Sequence, residues 1–410
     1  MAEFPNYADF ENLEVDQDML FDSMTCVQKA PWIMDDIFKF LSTNIAFVSE
    51  QGIYLMKLFD PVTQKYKHHR KTKSGMLDIL GQYSFPVVGS RPYNGGSFLK
   101  TGVFVQYCSL VFDPSSPNPK TNEIKNTYLQ PRMRPYNTFK GLAYKFDPGR
   151  LLQTTDGATM FEGHAFNVLC DGNADIFHYL MLWVGHMFQF PEVKSGSAIL
   201  MRSIQGIGKN LWWDVISAIL GSSYTGYITH KQHLEGNFNA HLENKLLVVC
   251  DEMGLGSNRE IANLMKARIT QQVSMLERKG QDAVVMKSYE RYVWLSNEKW
   301  PVRVEQSDRR WACIQGTSNI HTMAYYQNFA RFYENPNNIQ SVCDYFVTMK
   351  DVTRSLPLPP KTDLWHELRE MAQPDEIMFL KDMVNGAEGM PIDVIPDASF
   401  VTATGMHTLY

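Results

Sequence analysis

A glycine-rich segment that ends in a lysine could bind a phosphate. Residues 203–210 read Ser-Ile-Gln-Gly-Ile-Gly-Lys-Asn, between an apolar run and the start of a helical pattern. Backbone N–H groups of such a loop can surround a phosphate, and the dipole of the following helix favours its charge. Two glycines permit close approach, and the lysine could reach the β- and γ-phosphates. The predicted nucleotide-binding residues are Gln205, Gly206, Ile207, Gly208, Lys209 and Asn210.

The loop departs from the common G-x-x-x-x-G-K-[ST] pattern at both ends. Ser203 stands where the first glycine is expected, and Asn210 replaces the hydroxyl residue that usually binds magnesium. An amide oxygen is a hard neutral ligand, so Asn210 is predicted to hold Mg²⁺ directly or through water. Taken alone, the segment is also compatible with a tight structural turn, so its interpretation depends on the residues that accompany it.

Three further polar groups follow apolar segments. Asp251-Glu252 comes after Lys-Leu-Leu-Val-Val-Cys, and supplies one carboxylate for Mg²⁺ and a second that could polarise an attacking water. Asn297 ends another apolar run and could orient water, while Arg309 and Arg310 supply adjacent guanidinium groups. From the loop lysine onward, successive spacings are 42, 46 and 13 residues. This order predicts hydrolysis of a nucleoside triphosphate, with ATP and Mg²⁺ as cofactors.

Alternating strands and helices are predicted to position these groups, which indicates a parallel α/β core. The predicted strands are residues 197–201, 245–250 and 292–296, and the predicted helices are 165–169, 174–188, 209–220 and 260–270. Residues 272–275 and 283–287 could pair as a hairpin. After residue 318 the pattern is mainly helical, until the prolines of 357–360 lead into a tail.

The first 140 residues predict a small α+β domain, with a helix at 30–41 and strands at 45–49, 53–58 and 102–112. Residues 65–73 read Lys-Tyr-Lys-His-His-Arg-Lys-Thr-Lys. Such a basic run is typical of a solvated face or loop, and a patch that contacts phosphates is the alternative.

Composition narrows the class of protein. The 410 residues are 44% hydrophobic and 20% charged with a net charge of −5, which is globular and argues against a protein that coats nucleic acid by bulk charge. No apolar run approaches the ~20 residues that span a bilayer, and no signal peptide is recognisable, so a soluble intracellular protein is expected. The six scattered cysteines predict neither a zinc module nor a disulfide framework. We expect packing roles, not metal binding, for His164, His178 and His186.

The motifs together resemble those of superfamily 3 helicases, particularly the poxvirus-like and phage-type primase–helicases. The resemblance is carried by residues 236–252, 264–270, 277–280, 295–297 and 308–310, with weaker support from 134–141, 173–191 and 356–362. The resemblance covers residues 130–385, and its motifs are most specific in the region of the predicted motor.

The resemblance implies an AAA+ (P-loop NTPase) fold and a ring, usually a hexamer, around DNA. It makes Lys209 the phosphate-loop lysine, Asp251 and Glu252 the Walker B pair, and Asn297 the first sensor. Arg309 or Arg310 would be an arginine finger that reaches the ATP of a neighbouring subunit, and the two stay open as alternatives. Such a finger in trans can be worth ~10³–10⁵ in rate.

Relatives in this family place a DNA-tracking loop between Walker B and the sensor strand. Here its tip contains Arg278, Lys279 and Gly280, which would contact phosphates without reading sequence. An exposed loop with ordinary surface charge is the alternative. The implied partners are single-stranded and forked DNA, further copies of the chain, and a primase or polymerase, with no membrane. A viral or phage protein in the cytoplasm or nucleus of a host cell is implied.

Four regions follow from this interpretation: an accessory α+β domain at 1–140, a helical collar at 141–192, an AAA+ motor at 193–320, and a helical region with a tail at 321–410. An ATP-driven DNA helicase is the predicted function. An ATP-dependent DNA-loading or assembly factor and a non-hydrolysing DNA-binding scaffold remain alternatives, the latter because of Ser203 and Asn210.

Overall fold

The computed structural model describes residues 33–60, 65–101, 105–107, 109–115, 135–146, 156–236, 239–253, 258–279 and 282–373. The chain divides into two compact units, residues 1–140 and 141–410, which are described separately. Both units combine helices with sheet, so the mixed α/β class is confirmed.

The described residues of the first unit form two α-helices against a small sheet. Its elements are α1 (Met34–Asn44), β1 (Ile45–Val48), β2 (Ile53–Asp60), β3 (Lys65–Lys71), α2 (Lys73–Leu80), β4 (Ser84–Phe85), β5 (Tyr93–Asn94), a 3₁₀ helix (Gly95–Lys100), β6 (Val105–Tyr107), β7 (Leu110–Val111) and β8 (Tyr136–Asn137). The order β3-β2-β1-β6 forms a four-stranded sheet, antiparallel except for the parallel pair β1–β6. Apolar residues of α1 and α2 cover it, including Ile37, Leu41, Met76 and Leu80.

The basic run, assigned to a solvated face or loop, forms β3 (Lys65–Lys71), which pairs antiparallel with β2 along its length. Because β3 lies at the edge of the sheet, its alternate side chains can stay in water, and His69 and Arg70 are exposed. The strand is therefore compatible with a solvated face. One sequence prediction in this unit was wrong. The predicted strand at 102–112 is two short strands in different sheets, and residues 102–104 and 108 lie outside the described part of the chain.

The second unit carries the predicted motor. Its elements are α3 (Asp156–His164), a π-helical turn (Ala165–Leu169), α4 (Ala174–Gln189), β9 (Ala198–Arg202), α5 (Lys209–Leu220), β10 (Thr225–Ile228), α6 (Gln232–Glu235), a 3₁₀ turn (Ala240–Leu242), β11 (Leu247–Asp251), α7 (Arg259–Thr270), β12 (Val273–Leu276), β13 (Val284–Lys287), β14 (Arg291–Ser296), β15 (Trp311–Gln315), α8 (Met323–Glu334), α9 (Pro336–Thr348) and α10 (Asp363–Met371).

A five-stranded, wholly parallel sheet with the order β10-β11-β14-β9-β15 organises this unit. The predicted strands β9, β11 and β14 are confirmed, and so are helix α5 and the antiparallel hairpin β12–β13. Strands β10 and β15 were not predicted. Because the strands are parallel, their carboxyl ends meet at one edge of the sheet, where ligands of open α/β sheets bind.

Helices cover both faces of the sheet. On one face, Trp212 of α5 stacks on Phe161 of α3 with ring centroids 4.5 Å apart, and Phe346 of α9 stacks on Phe188 of α4 at 5.5 Å. The predicted collar, motor and C-terminal helices therefore lie in one compact unit. The boundaries proposed between them stay predictions.

The prediction that residues after the proline run form a tail was wrong for α10. Its side chains Leu364, Trp365 and Leu368 are buried in the same apolar cluster as Leu200 and Cys313 of the sheet. Thr362 caps the start of the helix: its hydroxyl accepts from the Trp365 N–H at 3.2 Å and donates to the Cys313 carbonyl at 2.7 Å. Within the described residues, no helix is long and apolar enough to span a membrane.

Candidate nucleotide site

The glycine segment joins the carboxyl end of β9 to the first residue of α5. Gly206 and Gly208 have φ values of +86° and +87°, a conformation that disfavours any residue with a Cβ. Helix α5 starts at Lys209, so its first N–H groups point back into the loop. Gly221, at φ +95°, ends the helix as the sequence pattern predicts. The local backbone is suited to bind an anion.

Lys209 is held at the centre of the site. Its Nζ donates to the Ser296 carbonyl at 3.0 Å and to Asn297 Oδ1 at 2.5 Å, both at the carboxyl end of β14. Burial lowers the pKa of this amine to about 8, although Asp251 and Glu252 act in the opposite direction. The lysine is therefore desolvated before any ligand arrives, which strengthens its attraction for an anion.

The acidic pair lies beside the loop, at the end of β11. Asn210 donates from Nδ2 to Asp251 Oδ2 at 2.5 Å, and Asn297 donates from Nδ2 to Glu252 Oε1 at 3.4 Å. Glu252 has φ +53°, and its N–H donates to the Leu295 carbonyl at 3.0 Å. Strain of this kind costs on the order of 1–3 kcal/mol and occurs mainly at functional positions.

A Mg²⁺ ion fits this donor set with one adjustment. The described residues contain no group of three His, Cys, Asp or Glu side chains that could hold a metal. Mg²⁺ needs few protein ligands, because it keeps several waters and takes oxygens from phosphates. Asp251 alone could supply the carboxylate. Asn210 turns its nitrogen toward Asp251, so its amide must rotate before its oxygen could face the ion.

Arg309 and Arg310 lie away from this cluster. They precede β15, and the Arg310 carbonyl accepts from the Ala198 N–H at 2.7 Å, at the amino end of β9. A five-residue strand spans roughly 16 Å, so the arginines and Lys209 are at opposite edges of the sheet. Arg310 pairs with the buried Asp308 at 3.6 Å, while Arg309 is exposed.

The predicted DNA-binding residues are only partly available. Arg278 forms an ion pair with Glu243, with N–O distances of 2.8 and 3.1 Å. Lys279 is exposed, and Gly280 lies outside the described residues. Asn239 fixes the hairpin by donating to the Met275 carbonyl at 2.8 Å and accepting from the Glu277 N–H at 2.9 Å.

The histidines singled out in the sequence have no metal-ligand arrangement among the described residues. His186 contacts the Arg354 carbonyl at 3.1 Å, and His178 is exposed. His164 is buried against the phosphate loop, a position that the sequence did not reveal.

Sequence reasoning also missed Gly316, which follows β15 and packs against the start of the loop. Its N–H donates to the Arg202 carbonyl at 2.8 Å. A Cβ placed there would lie 2.7 Å from Ile207 Cδ1 and 2.9 Å from Ser203 Cβ. Ser203 carries the Cβ that the usual glycine lacks, and the neighbouring strand has a glycine opposite it. The loop therefore accommodates Ser203 because Gly316 leaves room.

Gly316→Ala is expected to weaken nucleotide binding and to destabilise the unit by about 1–3 kcal/mol, since the crowding atoms belong to packed residues. Chemical denaturation and nucleotide titration measure the two effects. Gly226→Ala is the matched control, because its Cβ would find its nearest neighbour at an ordinary 3.7 Å. Equal behaviour of the two variants would contradict this account of Ser203.

Comparisons with known proteins match the chain to one family model and to a phage protein. Residues 201–310 match a family of unknown function, DUF5906. Over 299 residues the chain is 28% identical to the DNA primase-polymerase of Nitratiruptor phage NrS-1; the match covers 71% of this chain and 38% of that protein.

Solved structures add a likeness of fold. The apo C-terminal region of NrS-1 superposes with a TM-score of 0.65 at 21% identity, covering 88% of this chain and 82% of that one. An A-form apo structure of the same region gives 0.65, and another gives 0.59 over 84% of this chain. The chain thus spans 38% of the length of its curated relative and has the fold of a phage primase-polymerase's C-terminal region.

Proposed function

We propose that this chain is an ATP-driven motor of phage or viral DNA replication, of the superfamily 3 (AAA+) helicase type, which forms a ring and moves on single-stranded DNA. The observation that carries the proposal is the joining of Lys209, Asn297 and Glu252, with Asn210 and Asp251 alongside, at the carboxyl edge of one parallel sheet. Five residues from three separate segments meet where a triphosphate would lie.

Each of these groups has a separate task in hydrolysis. Lys209 neutralises charge on the β- and γ-phosphates, with the loop N–H groups around them. When bound, Mg²⁺ would neutralise phosphate charge from the side of Asp251. Glu252 polarises the attacking water, and Asn297 positions both Lys209 and Glu252 through its two amide atoms. Positioning and electrostatic stabilisation supply most of the catalysis in phosphoryl transfer.

The strand order supports assignment to this class of motor. Strand β14, which carries the sensor amide, lies between β9 with the phosphate loop and β11 with the acidic pair. The amide therefore touches both the lysine and the glutamate. The arginines lie at the opposite edge of the sheet from Lys209, so a catalytic role for either of them would require the site of a neighbouring copy.

The likeness to a phage primase-polymerase supports forked DNA as substrate and a primase or polymerase as partner. Lys279, exposed at the hairpin, is the residue through which the motor would contact the strand. Arg278 must first leave Glu243 to take part.

The test is ATP hydrolysis by the purified chain with and without single-stranded DNA, followed by strand displacement on a fork. DNA-stimulated hydrolysis with displacement is expected, and Lys279→Ala should reduce the stimulation while leaving basal hydrolysis intact. Hydrolysis without displacement would assign a loading or assembly factor instead. No turnover with Mg²⁺ or Mn²⁺, and no rescue by Asn210→Thr, would leave a non-hydrolysing scaffold. Primer synthesis by this chain alone would assign nucleotidyl transfer and overturn the motor.

A further inference from the structure

A buried histidine touches the phosphate loop from behind. His164, the last residue of α3, is 1% exposed, and its Nδ1 lies 2.9 Å from the Tyr325 hydroxyl of α8. Its ring also contacts Phe329, with centroids 4.5 Å apart. Two residues of α8 therefore fix the imidazole, independently of its contact with the loop.

The other ring nitrogen faces Gly208. Within the described structure, His164 Nε2 is buried with no hydrogen bond of ordinary geometry, and a Cβ on Gly208 would lie 3.1 Å from it. Burial lowers the pKa of His164 to about 4, so the ring is neutral near pH 7, while the Gly208 backbone acts to raise that pKa. The carbonyl is the one backbone acceptor of Gly208, so we take it as the group that a proton on Nε2 can reach.

The Gly208 carbonyl belongs to the same peptide unit as the Lys209 N–H. In a trans peptide these two groups point in opposite directions. A donor that holds the carbonyl on the inner side of the loop therefore turns the Lys209 N–H outward, to the side where a phosphate would bind. The carbonyl already accepts from the Trp212 N–H at 3.2 Å, and its second lone pair is available to the imidazole.

We propose that His164 is a positioning residue of the phosphate loop: its Nε2–H donates to the Gly208 carbonyl when a nucleoside triphosphate is bound, and so aims the Lys209 N–H at the phosphate. The Tyr325 hydroxyl donates to Nδ1 and thereby selects the tautomer that carries the proton on Nε2. This role rests on the proposed nucleotide site. It links the loop to α8, a helix that follows the sheet.

Two substitutions of His164 distinguish the contribution of Nε2 from that of Nδ1. The amide nitrogen of His164→Gln occupies the position of Nε2 and keeps a donor for Gly208, whereas His164→Asn keeps a group at Nδ1 and loses that donor. Both remove the ring that packs against Phe329, and His164→Asn leaves the larger space by one methylene. The probes are Mg²⁺-ATP and Mg²⁺-ADP, measured by titration with the full chain, and thermal unfolding without nucleotide.

One net hydrogen bond corresponds to a factor of about 2–10 in affinity. His164→Asn is expected to raise both the Kd and the KM for ATP about 3–10-fold with kcat nearly unchanged, and His164→Gln less than about 2-fold. Tyr325→Phe should fall between them, because it frees the tautomer without removing the donor. Without nucleotide, the unfolding midpoint of the Asn variant should lie below that of the Gln variant only by the effect of one buried methylene.

The outcomes separate this inference from the proposed function. Failure of the unaltered protein to bind either nucleotide would remove the nucleotide site itself. Binding by the unaltered protein with equal Kd values for the Gln and Asn variants would overturn the role of His164 alone. The free energy of unfolding without nucleotide gives the control. An Asn variant that loses as much folding free energy relative to the Gln variant as it loses binding free energy would show a structural role instead.

Discussion

Replacement of Lys209 by alanine is expected to lower the rate of ATP hydrolysis by on the order of 10²–10³-fold, the loss typical when one preorganised charge-stabilising donor is removed from a reacting oxyanion. The ammonium group is already desolvated and is held by Ser296 and Asn297, so its removal costs stabilisation of the phosphate charge. Steady-state phosphate release with and without single-stranded DNA measures the effect.

Two controls make this expectation specific. Lys266→Ala removes a lysine of α7 that pairs with Glu305 at 2.7 Å and lies outside the site, and it should leave turnover unchanged. Glu252→Gln should retain nucleotide binding while losing turnover, because the amide can still accept from Asn297 but cannot polarise water. Lys209→Ala should lose both. Hydrolysis that survives Lys209→Ala would place the reaction elsewhere in the chain.

The variant also bears on stability. The Lys209 pKa is about 8 in the folded chain, below its ordinary 10.5, so the unfolded state binds more protons between these values. The cation therefore costs folding free energy below pH 8, and this cost fades as the pH rises. Because the substitution removes a buried charge that costs folding free energy, Lys209→Ala is not expected to unfold the chain, and thermal unfolding of the variant checks this.

The polar residues of the candidate site were easier to predict from the sequence than the residues that pack against its loop. Lys209, Asp251, Glu252 and Asn297 carry their signal locally, because each follows or ends an apolar run of strand length. What brings them together is the parallel order of the sheet, and the side chains then touch without further adjustment. Their roles in turnover stay predictions.

The residues that support the loop, Gly316 and His164, could not be predicted, because each is needed only through a contact with another segment of the chain. Gly316 is needed only because Ser203 and Ile207 lie against it, and His164 matters only because Gly208 packs on its ring. Neither contact has a periodicity or spacing that a single sequence displays. Strand β15 was missed for a related reason: a short apolar run beside two arginines is not distinguished from a buried helix segment by pattern alone.

The adjacent arginines are now distinguishable by their surroundings. Arg310 holds the carboxylate of Asp308, which is 3% exposed, through its guanidinium at 3.6 Å and its backbone N–H at 2.9 Å. Removal of Arg310 would leave a buried carboxylate without its cation, which destabilises the fold. Arg309 is exposed at the same edge and has the reach of a long side chain. We therefore expect Arg309 to be the residue that enters a neighbouring site.

Arg309→Ala is accordingly expected to lower ATP hydrolysis by about 10³-fold or more, the effect of an arginine finger supplied in trans, while nucleotide binding and the unfolding midpoint stay unchanged.

Mixing two inactive variants provides the decisive measurement. Arg309→Ala subunits have an intact loop and Lys209→Ala subunits have an intact arginine, so an equal mixture in a closed ring should regain roughly a quarter of the active interfaces. Recovery of activity from two inactive variants requires contact between subunits. An inactive mixture that still assembles, or a fully active Arg309→Ala variant, would contradict a finger at this residue.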